Sequence, residues 1–218
     1  MKIDKNSYGT IAWVCLVLAA MVACMFAFVR VPFITIPFSL LVFVFMFFVV
    51  WFHRVPSRPV LDEDPREVTS VADGKVIIVE KVYEPEYLKR ECTQVSVYMD
   101  FFKVHSNFWP LTGTISYYKY HPGDYFLAFL PKASERNEHS STGIRNEHGE
   151  IFFKQIAGMF ARRIVCYSEE GKAVSKGKQC GIIKFGSRID VFLPLDAELK
   201  VKVGDNARAC ETVLAILK

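Results

Sequence analysis

Residues 184–190 read Lys-Phe-Gly-Ser-Arg-Ile-Asp and join two apolar runs, residues 181–183 and 191–194. Short apolar runs separated by turn-forming residues are typical of buried β-strands, so we expect the Gly-Ser step to be held between two strands. Glycine has no Cβ, which lets the backbone bend and lets another group approach its peptide carbonyl closely. A serine hydroxyl in this position could reach the peptide bond that precedes it, although a Gly-Ser pair alone is most often a turn.

The C-terminal part of the chain contains an approximate repeat. Residues 164–183 and 199–216 each read as a strand, a glycine-containing turn and a second strand. This spacing resembles the half-motifs of biotinyl- and lipoyl-type barrel-sandwich domains. Further strands are predicted upstream at 76–79, 94–99, 113–118, 125–130 and 150–153, whereas periodicity does not separate strand from helix at 155–162. We therefore expect a mainly β fold, an antiparallel β-sandwich or barrel with a lipoyl-like C-terminal half.

The N-terminal part contains two long uncharged runs, residues 11–29 and 31–52. Crossing a bilayer takes about 20 apolar residues in a helix, so each run is long enough to span a membrane. Two interpretations stay open: a transmembrane hairpin, or a re-entrant pair in which Pro32 and Pro37 weaken the second helix. The basic residues lie mainly outside the two runs, which places both ends in the cytoplasm by the positive-inside rule.

The composition limits the function classes. The 218 residues carry a net charge of +4 without a long basic run, so we expect no nucleic-acid partner, while anionic lipid remains a suitable one. None of the six cysteines forms a Cys-X-X-Cys pair or a zinc-site spacing, so we expect reduced thiols and no metal. We divide the chain into a membrane anchor (1–55), a proline-punctuated linker (56–66) and a catalytic β domain (67–218).

Three motifs carry a family resemblance in combination. They are Val-Ala-Asp-Gly-Lys-Val at 71–76, Val-His-Ser-Asn-Phe-Trp-Pro at 104–110, and Phe-Gly-Ser-Arg-Ile-Asp at 185–190. In this order, with Tyr-His-Pro-Gly at 120–123, they resemble the phosphatidylserine decarboxylase proenzymes of the short, membrane-anchored bacterial type. The resemblance covers essentially the whole chain. One departure is the Ser-Asn-Phe-Trp stretch after His105, where the family more often has a polar or basic residue before the proline.

The resemblance implies that the chain processes itself. In the family, the serine attacks the carbonyl of the preceding glycine, and elimination leaves a pyruvoyl group on the new N-terminus. Here the cut falls between Gly186 and Ser187, which gives chains 1–186 and 187–218 that stay associated, and the pyruvoyl cofactor is made from Ser187. The implied activity is decarboxylation of phosphatidylserine to phosphatidylethanolamine, with the pyruvoyl group acting as the electron sink.

The chemistry of the residues agrees with these roles. A serine hydroxyl needs a base, and His105 can accept its proton at neutral pH. Asp73 can fix the imidazole tautomer, following the logic of the serine-histidine-aspartate triad. Asp100 and Asp190 are rival orienting groups, and only the family pattern places Asp73 first. We also expect His105 to return a proton to the substrate carbanion.

Several polar residues are candidates for binding the phosphate or carboxylate of the head group. They are Lys132, Asn137, His139 and Arg188, although side chains of this kind also cap or solubilise loops. Two alternative functions stay open: a decarboxylase for another amino-acid head-group lipid of the archaetidylserine kind, and a non-catalytic membrane-anchored adaptor. For the decarboxylase we expect a phospholipid substrate in the inner membrane of a bacterial cell, a cytoplasmic catalytic domain, and an arrangement that allows a homodimer.

Overall fold

The computed structural model describes residues 2–29, 31–60, 64–99, 102–124, 126, 136–158, 164–183 and 187–218. It divides into an N-terminal unit, Met1–Pro56, and a C-terminal unit, Ser57–Lys218. Asp100, Lys132 and Gly186 lie outside the described residues. So does the predicted strand at 125–130, except for Phe126.

The N-terminal unit is a pair of apolar helices, α1 (Tyr8–Phe28) and α2 (Pro32–Phe52). Each has 21 residues and is long and apolar enough to cross a membrane. Pro32 occupies the start of α2, where a missing N–H costs nothing, and the helix continues through Pro37 without a break. The short strands β1 (Lys2–Ile3) and β2 (Arg54–Val55) pair antiparallel, so the two ends of the helical hairpin meet.

The C-terminal unit is built almost entirely from strands, as the sequence predicts. Their bounds are β3 (Glu67–Thr69), β4 (Gly74–Glu84), β5 (Arg90–Met99), β6 (Ser106–Phe108), β7 (Gly113–His121), β8 (His139–Asn146), β9 (Gly149–Ala157), β10 (Ile164–Cys166), β11 (Ala173–Val174), β12 (Gln179–Ile183), β13 (Ser187–Leu193), β14 (Glu198–Leu199), β15 (Asn206–Ala207) and β16 (Val213–Ile216).

One large sheet organises this unit. Its eight strands run in the order β11-β7-β8-β9-β13-β5-β4-β15, and every pairing is antiparallel. Two three-stranded sheets, β10-β12-β6 and β14-β16-β3, complete the fold. The mainly β, antiparallel prediction is confirmed.

The approximate C-terminal repeat appears as two antiparallel strand pairs. In the first copy β10 pairs with β12, and in the second β14 pairs with β16. The connections contain glycines with positive φ, Gly171 and Gly177 in the first copy and Gly204 in the second. A positive φ strains residues that carry a Cβ, so these glycines fix the turns.

The side chains of strand β13 alternate between the two faces of the large sheet. Ile189, Val191 and Leu193 point into the main hydrophobic core, together with residues such as Val97, Phe153 and Leu214. Phe192 packs instead with Cys92 and Phe152 on the outer face. Because side chains alternate along a strand, Ser187 lies on the core face, and Arg188 and Asp190 lie on the outer face.

Candidate active site

Ser187 opens the central strand and is completely buried. It pairs with Met99 at the end of β5 on one side and with Ala157 at the end of β9 on the other. Its hydroxyl donates a hydrogen bond to the Met99 sulfur, with an Oγ–Sδ distance of 2.8 Å. A thioether is a weak acceptor, so this contact places the hydroxyl without binding it strongly.

His105 lies just before β6 and is also fully buried. Its Nδ1 is 3.0 Å from the carbonyl oxygen of Lys103. A neutral ring that donates from Nδ1 to this carbonyl carries its lone pair on Nε2, which is the form required of a general base. A backbone carbonyl therefore fixes the tautomer in this structure.

Two sets of contacts bring the histidine segment and the serine to one end of the fold. The N–H of Ile183 donates to the carbonyl of His105 at 3.3 Å, and Ile183 is four residues before Ser187. Four extended residues span at most about 14 Å. In addition, the Nδ2 of Asn107, two residues after His105, lies 3.7 Å from the same Met99 sulfur that Ser187 contacts.

A buried polar chain continues from this point. Gln155 Nε2 donates to Asn107 Oδ1 at 2.8 Å, and Ser140 Oγ donates to Gln155 Oε1 at 2.8 Å. All three side chains are fully buried. Gly181 makes room for this chain, because a Cβ at that position would lie 2.9 Å from Gln155 Nε2. Sequence reasoning missed these residues, although a glutamine inside the apolar stretch 151–157 was an available signal.

The Asp73 carboxylate was expected to orient His105, and in the structure it binds Arg58 and the backbone of Ala209. Its two carboxylate oxygens accept hydrogen bonds from the Arg58 guanidinium, one from Nη1 and one from Nη2 at 2.6 Å. The N–H of Ala209 donates to Oδ1 at 2.9 Å. These bonds tie Asp73 to residue 58, which the sequence assigns to a linker, and to the turn before β16. The structure thus brings Ser187 and the His105 segment together and places the Asp73 carboxylate against Arg58.

The outer-face residues of β13 are paired with each other. Arg188 is 1% exposed and donates to Asp190 from Nε at 2.5 Å and from Nη2 at 2.9 Å. Arg188 also lines a cavity of about 280 Å³ with Glu80, Lys154 and Phe192. Because Arg188 and Asp190 lie on the face opposite Ser187, the structure does not bring either side chain together with the serine hydroxyl.

Asn137 and His139 lie at the same end of the sheet as Ser187. Asn137 Nδ2 donates to the carbonyls of Phe126 and Ala157, both at 2.7 Å, so it supports the residue that pairs with Ser187. His139 is on the outer face, with its Nδ1 bonded to the Asn137 carbonyl at 2.7 Å. Burial lowers the pKa of His139 more than its hydrogen bond to Asn137 raises it.

An ionic cluster surrounds His139 on the outer face. Glu86 Oε2 is 2.7 Å from Lys154 Nζ, and Glu86 Oε1 is 2.6 Å from His121 Nε2. Burial alone would raise the pKa of Glu86, but the bonds with Lys154 and His121 dominate and lower it to about 2. The carboxylate therefore stays ionised throughout the physiological range.

The fold and this site together define a class: mainly antiparallel β-proteins that carry an N-terminal pair of apolar helices and a buried serine at the start of the central strand, beside a histidine segment.

Comparison with known proteins identifies the family within that class. A family model described as phosphatidylserine decarboxylase matches residues 45–215. The proenzyme of that name from Amoebophilus asiaticus is 42% identical over 167 residues, which is 76% of this chain and 74% of the relative. The proenzyme from Porphyromonas gingivalis is 36% identical over 220 residues, 100% of this chain and 99% of the relative. The proenzyme from Cupriavidus taiwanensis is 42% identical over 168 residues, 76% and 77% of the two chains. This chain belongs to the phosphatidylserine decarboxylase family.

Proposed function

We propose that this chain is the precursor of an enzyme that decarboxylates phosphatidylserine to phosphatidylethanolamine, after cutting itself between Gly186 and Ser187. The observation that supports this most directly is the position of Ser187. Its hydroxyl is buried at the first residue of the central strand, directly after the proposed cut, and its contact with the Met99 sulfur is weak. Among the described residues the acceptor of this hydroxyl is a thioether, which leaves the hydroxyl available to attack the adjacent carbonyl.

The first step is an attack by Ser187 Oγ on the carbonyl carbon of Gly186. A C–O bond forms, the C–N bond of the same peptide breaks, and the serine nitrogen gains a proton, so the peptide becomes an ester. Loss of the Ser187 α-proton with departure of the Gly186 carboxylate then separates the two chains and leaves a dehydroalanine at position 187. Its enamine tautomerises to an imine, and one water molecule hydrolyses this imine to the pyruvoyl carbonyl with release of ammonia. His105 accepts the hydroxyl proton in the first step, and general-base help of this kind accelerates a reaction by roughly 10²–10⁴-fold.

Asp73 is proposed as the group that stabilises the imidazolium formed on His105. The Lys103 carbonyl already orients the ring, so Asp73 need only contribute its charge. Arg58 binds both oxygens of that carboxylate, and its positive charge offsets the negative charge of Asp73. Arg58 should therefore weaken the stabilisation that Asp73 gives to the imidazolium. Comparing Asp73→Asn with Arg58→Met tests this role.

The residues around Ser187 fit a pyruvoyl group. The position is fully buried between Met99 and Ala157, which limits the access of bulk water to a reactive carbonyl. When formed there, the group supplies a carbonyl that condenses with the substrate amine and accepts the electron pair released as carbon dioxide leaves. His105 is the proposed donor of the proton that replaces the carboxylate.

Two further features of the fold support this proposal. Strand β13 pairs along its length with β5 and β9, so chain 187–218 would remain bound to chain 1–186 after the cut. The paired ends of the helical hairpin suit an anchor with both ends on one side of the bilayer, which we propose to be the cytoplasmic side of a bacterial inner membrane. Among the head-group candidates that the structure describes, Asn137 donates a hydrogen bond to Ala157, the pairing partner of Ser187. Lys132, His139 and Arg188 remain proposals tested by substitution.

An intact-mass measurement of purified protein tests the proposal. We expect two chains, the smaller starting with a blocked residue 187 and containing 218 − 186 = 32 residues. Ser187→Ala should give one full-length, inactive chain. An unmodified single chain that converts phosphatidylserine to phosphatidylethanolamine would refute self-processing, and normal processing of His105→Ala would refute the base assignment.

A further inference from the structure

Three side chains that are distant in sequence converge on the outer face of the large sheet. Glu86 lies in the turn between β4 and β5, His121 ends β7, and His139 begins β8. Each offers one ligand atom, and these atoms all lie within 4.8 Å of one another. The two imidazole rings are stacked, with centroids 4.3 Å apart and planes inclined by 14°.

We propose that Glu86, His121 and His139 form a binding site for a divalent transition-metal ion of the zinc type. Two histidines and one glutamate are a usual ligand set for zinc, with a fourth position open to water. Metal–ligand bonds of 2.0–2.1 Å place tetrahedral ligand atoms about 3.3 Å apart. His121 Nε2 and Glu86 Oε1, now 2.6 Å apart, would open by less than an ångström to admit the ion.

The groups behind these ligands are arranged as supports for metal binding. His139 Nδ1 is bonded to the Asn137 carbonyl at 2.7 Å, which leaves Nε2 as the ring atom suited to coordinate. On Glu86, Oε2 is held by Lys154 Nζ at 2.7 Å and by Ser141 Oγ at 3.1 Å, so Oε1 is the oxygen that faces the histidines. Metal-binding histidines and carboxylates characteristically have such hydrogen-bonded partners.

The charge balance leaves room for a cation. Lys154 Nζ is 3.9 Å from Glu84 and 2.7 Å from Glu86, so one positive charge faces two carboxylates. A divalent cation bound to Glu86 would compensate the carboxylate charge that Lys154 alone does not balance.

The ligand atoms are separate from the reacting serine. His139 lies on the face of the sheet opposite Ser187, and the ion would join the β4–β5 turn to the adjacent ends of β7 and β8. Its effect would be to crosslink these elements, so we expect it to raise thermal stability. His139 is also a head-group candidate, so metal binding and Tm, and not activity, report on this site.

The experiment uses full-length protein in detergent without an affinity tag, stripped of metal by a chelator and titrated with Zn²⁺ against a chromogenic competitor. We expect one equivalent bound and a rise in Tm. His121→Ala and His139→Ala should each weaken binding at least 100-fold. His148→Ala is the matched control, because His148 lies in the β8–β9 turn beside Glu147, 3.4 Å away, at the opposite end of β8.

Cobalt substitution in the unaltered protein gives a readout that does not depend on the variants folding. A tetrahedral Co²⁺ spectrum without a thiolate charge-transfer band excludes the cysteines as ligands, and together with the losses in the two histidine variants it supports the two-histidine, one-glutamate set. Absence of stoichiometric binding, a thiolate band, or binding that survives both histidine substitutions would overturn the inference.

Discussion

The Arg58 guanidinium donates two hydrogen bonds to the Asp73 carboxylate, one of them 2.6 Å long from Nη2 to Oδ2. The two side chains are only 6% and 11% exposed. A carboxylate expected to serve His105 is therefore part of a buried ion pair that links the segment after the helical hairpin to the start of β4. This pair lets structural and catalytic roles of Asp73 be tested separately.

The ion pair predicts a large loss of stability when either member is removed alone. Breaking a buried pair leaves one charge without compensation and costs about 3–5 kcal/mol, so Asp73→Asn and Arg58→Met should each lower the free energy of unfolding by that amount. The double variant should recover part of the loss. Urea titration of the full chain measures the effect.

Processing kinetics separate the two roles of Asp73. If its charge assists His105, Asp73→Asn slows chain cleavage more than Arg58→Met does at matched stability. Equal rates in the two variants would show that Asp73 acts only through the ion pair.

The thioether contact of Ser187 predicts that Met99→Leu leaves processing intact. Leucine conserves the volume and should change stability by less than about 1.5 kcal/mol. The substitution removes the sulfur that accepts from Oγ at 2.8 Å, which frees the hydroxyl for the base. We expect the variant to be cleaved at least as fast as the parent when the cleavage rate is measured by pulse labelling. Ser187→Ala serves as the uncleaved reference. A block in Met99→Leu would mean that the sulfur positions the nucleophile actively.

The buried polar chain next to Ser187 predicts a strong effect of Gln155→Leu. This change leaves Ser140 Oγ and Asn107 Oδ1 without the partners they have at 2.8 Å. Each unsatisfied buried group costs about 1–3 kcal/mol, and the displaced Asn107 should slow processing through its neighbour His105. Gln179→Leu is the control, because Gln179 is half-buried and bonds locally to the Gly181 carbonyl at 3.3 Å. Equal effects of the two substitutions would contradict a specific role for the hydrogen-bonded side chains of Ser140, Gln155 and Asn107.

The sequence predicted the parts of the fold that follow from local patterns. Apolar runs predicted α1, α2 and most of the described strands, and β13 begins at Ser187 and includes most of the apolar run predicted at 191–194. Strand β8 was missed because Ser140, Ser141 and Thr142 are polar yet buried. Their burial depends on Gln155, Glu86 and Ser168, which are 15, 55 and 26 residues away, and no local pattern encodes such partners.

The same reason limits prediction of the site. Asp73 and His105 were chosen by motif order, but Arg58 lies in a proline-rich stretch whose composition indicates a linker. Its burial against Asp73 arises only when residues 58, 73 and 209 meet in the folded chain. Likewise the Glu86, His121 and His139 cluster has no recognisable spacing, because each ligand comes from a different element.

The buried thiols predict a loss of stability at alkaline pH. All six cysteines are free. Burial raises the pKa of the Cys210 thiol to about 11 and the pKa of the Cys180 thiol well above its ordinary value. A thiol pKa raised on folding stabilises the native state below the unfolded pKa near 8.5, and this contribution is lost as pH rises towards the folded value.

A Cys180→Ala, Cys210→Ala double variant tests this prediction against Cys166→Ala, whose cysteine is only half-buried. Urea unfolding at pH 8 and pH 10.5 should give a steeper fall in the free energy of unfolding for the parent and the control than for the double variant. The difference should be about 2 kcal/mol or more, since each unit of pKa shift corresponds to about 1.4 kcal/mol. Parallel falls in all three proteins would assign the alkaline loss to lysine and tyrosine side chains instead, because only the double variant lacks the two buried thiols.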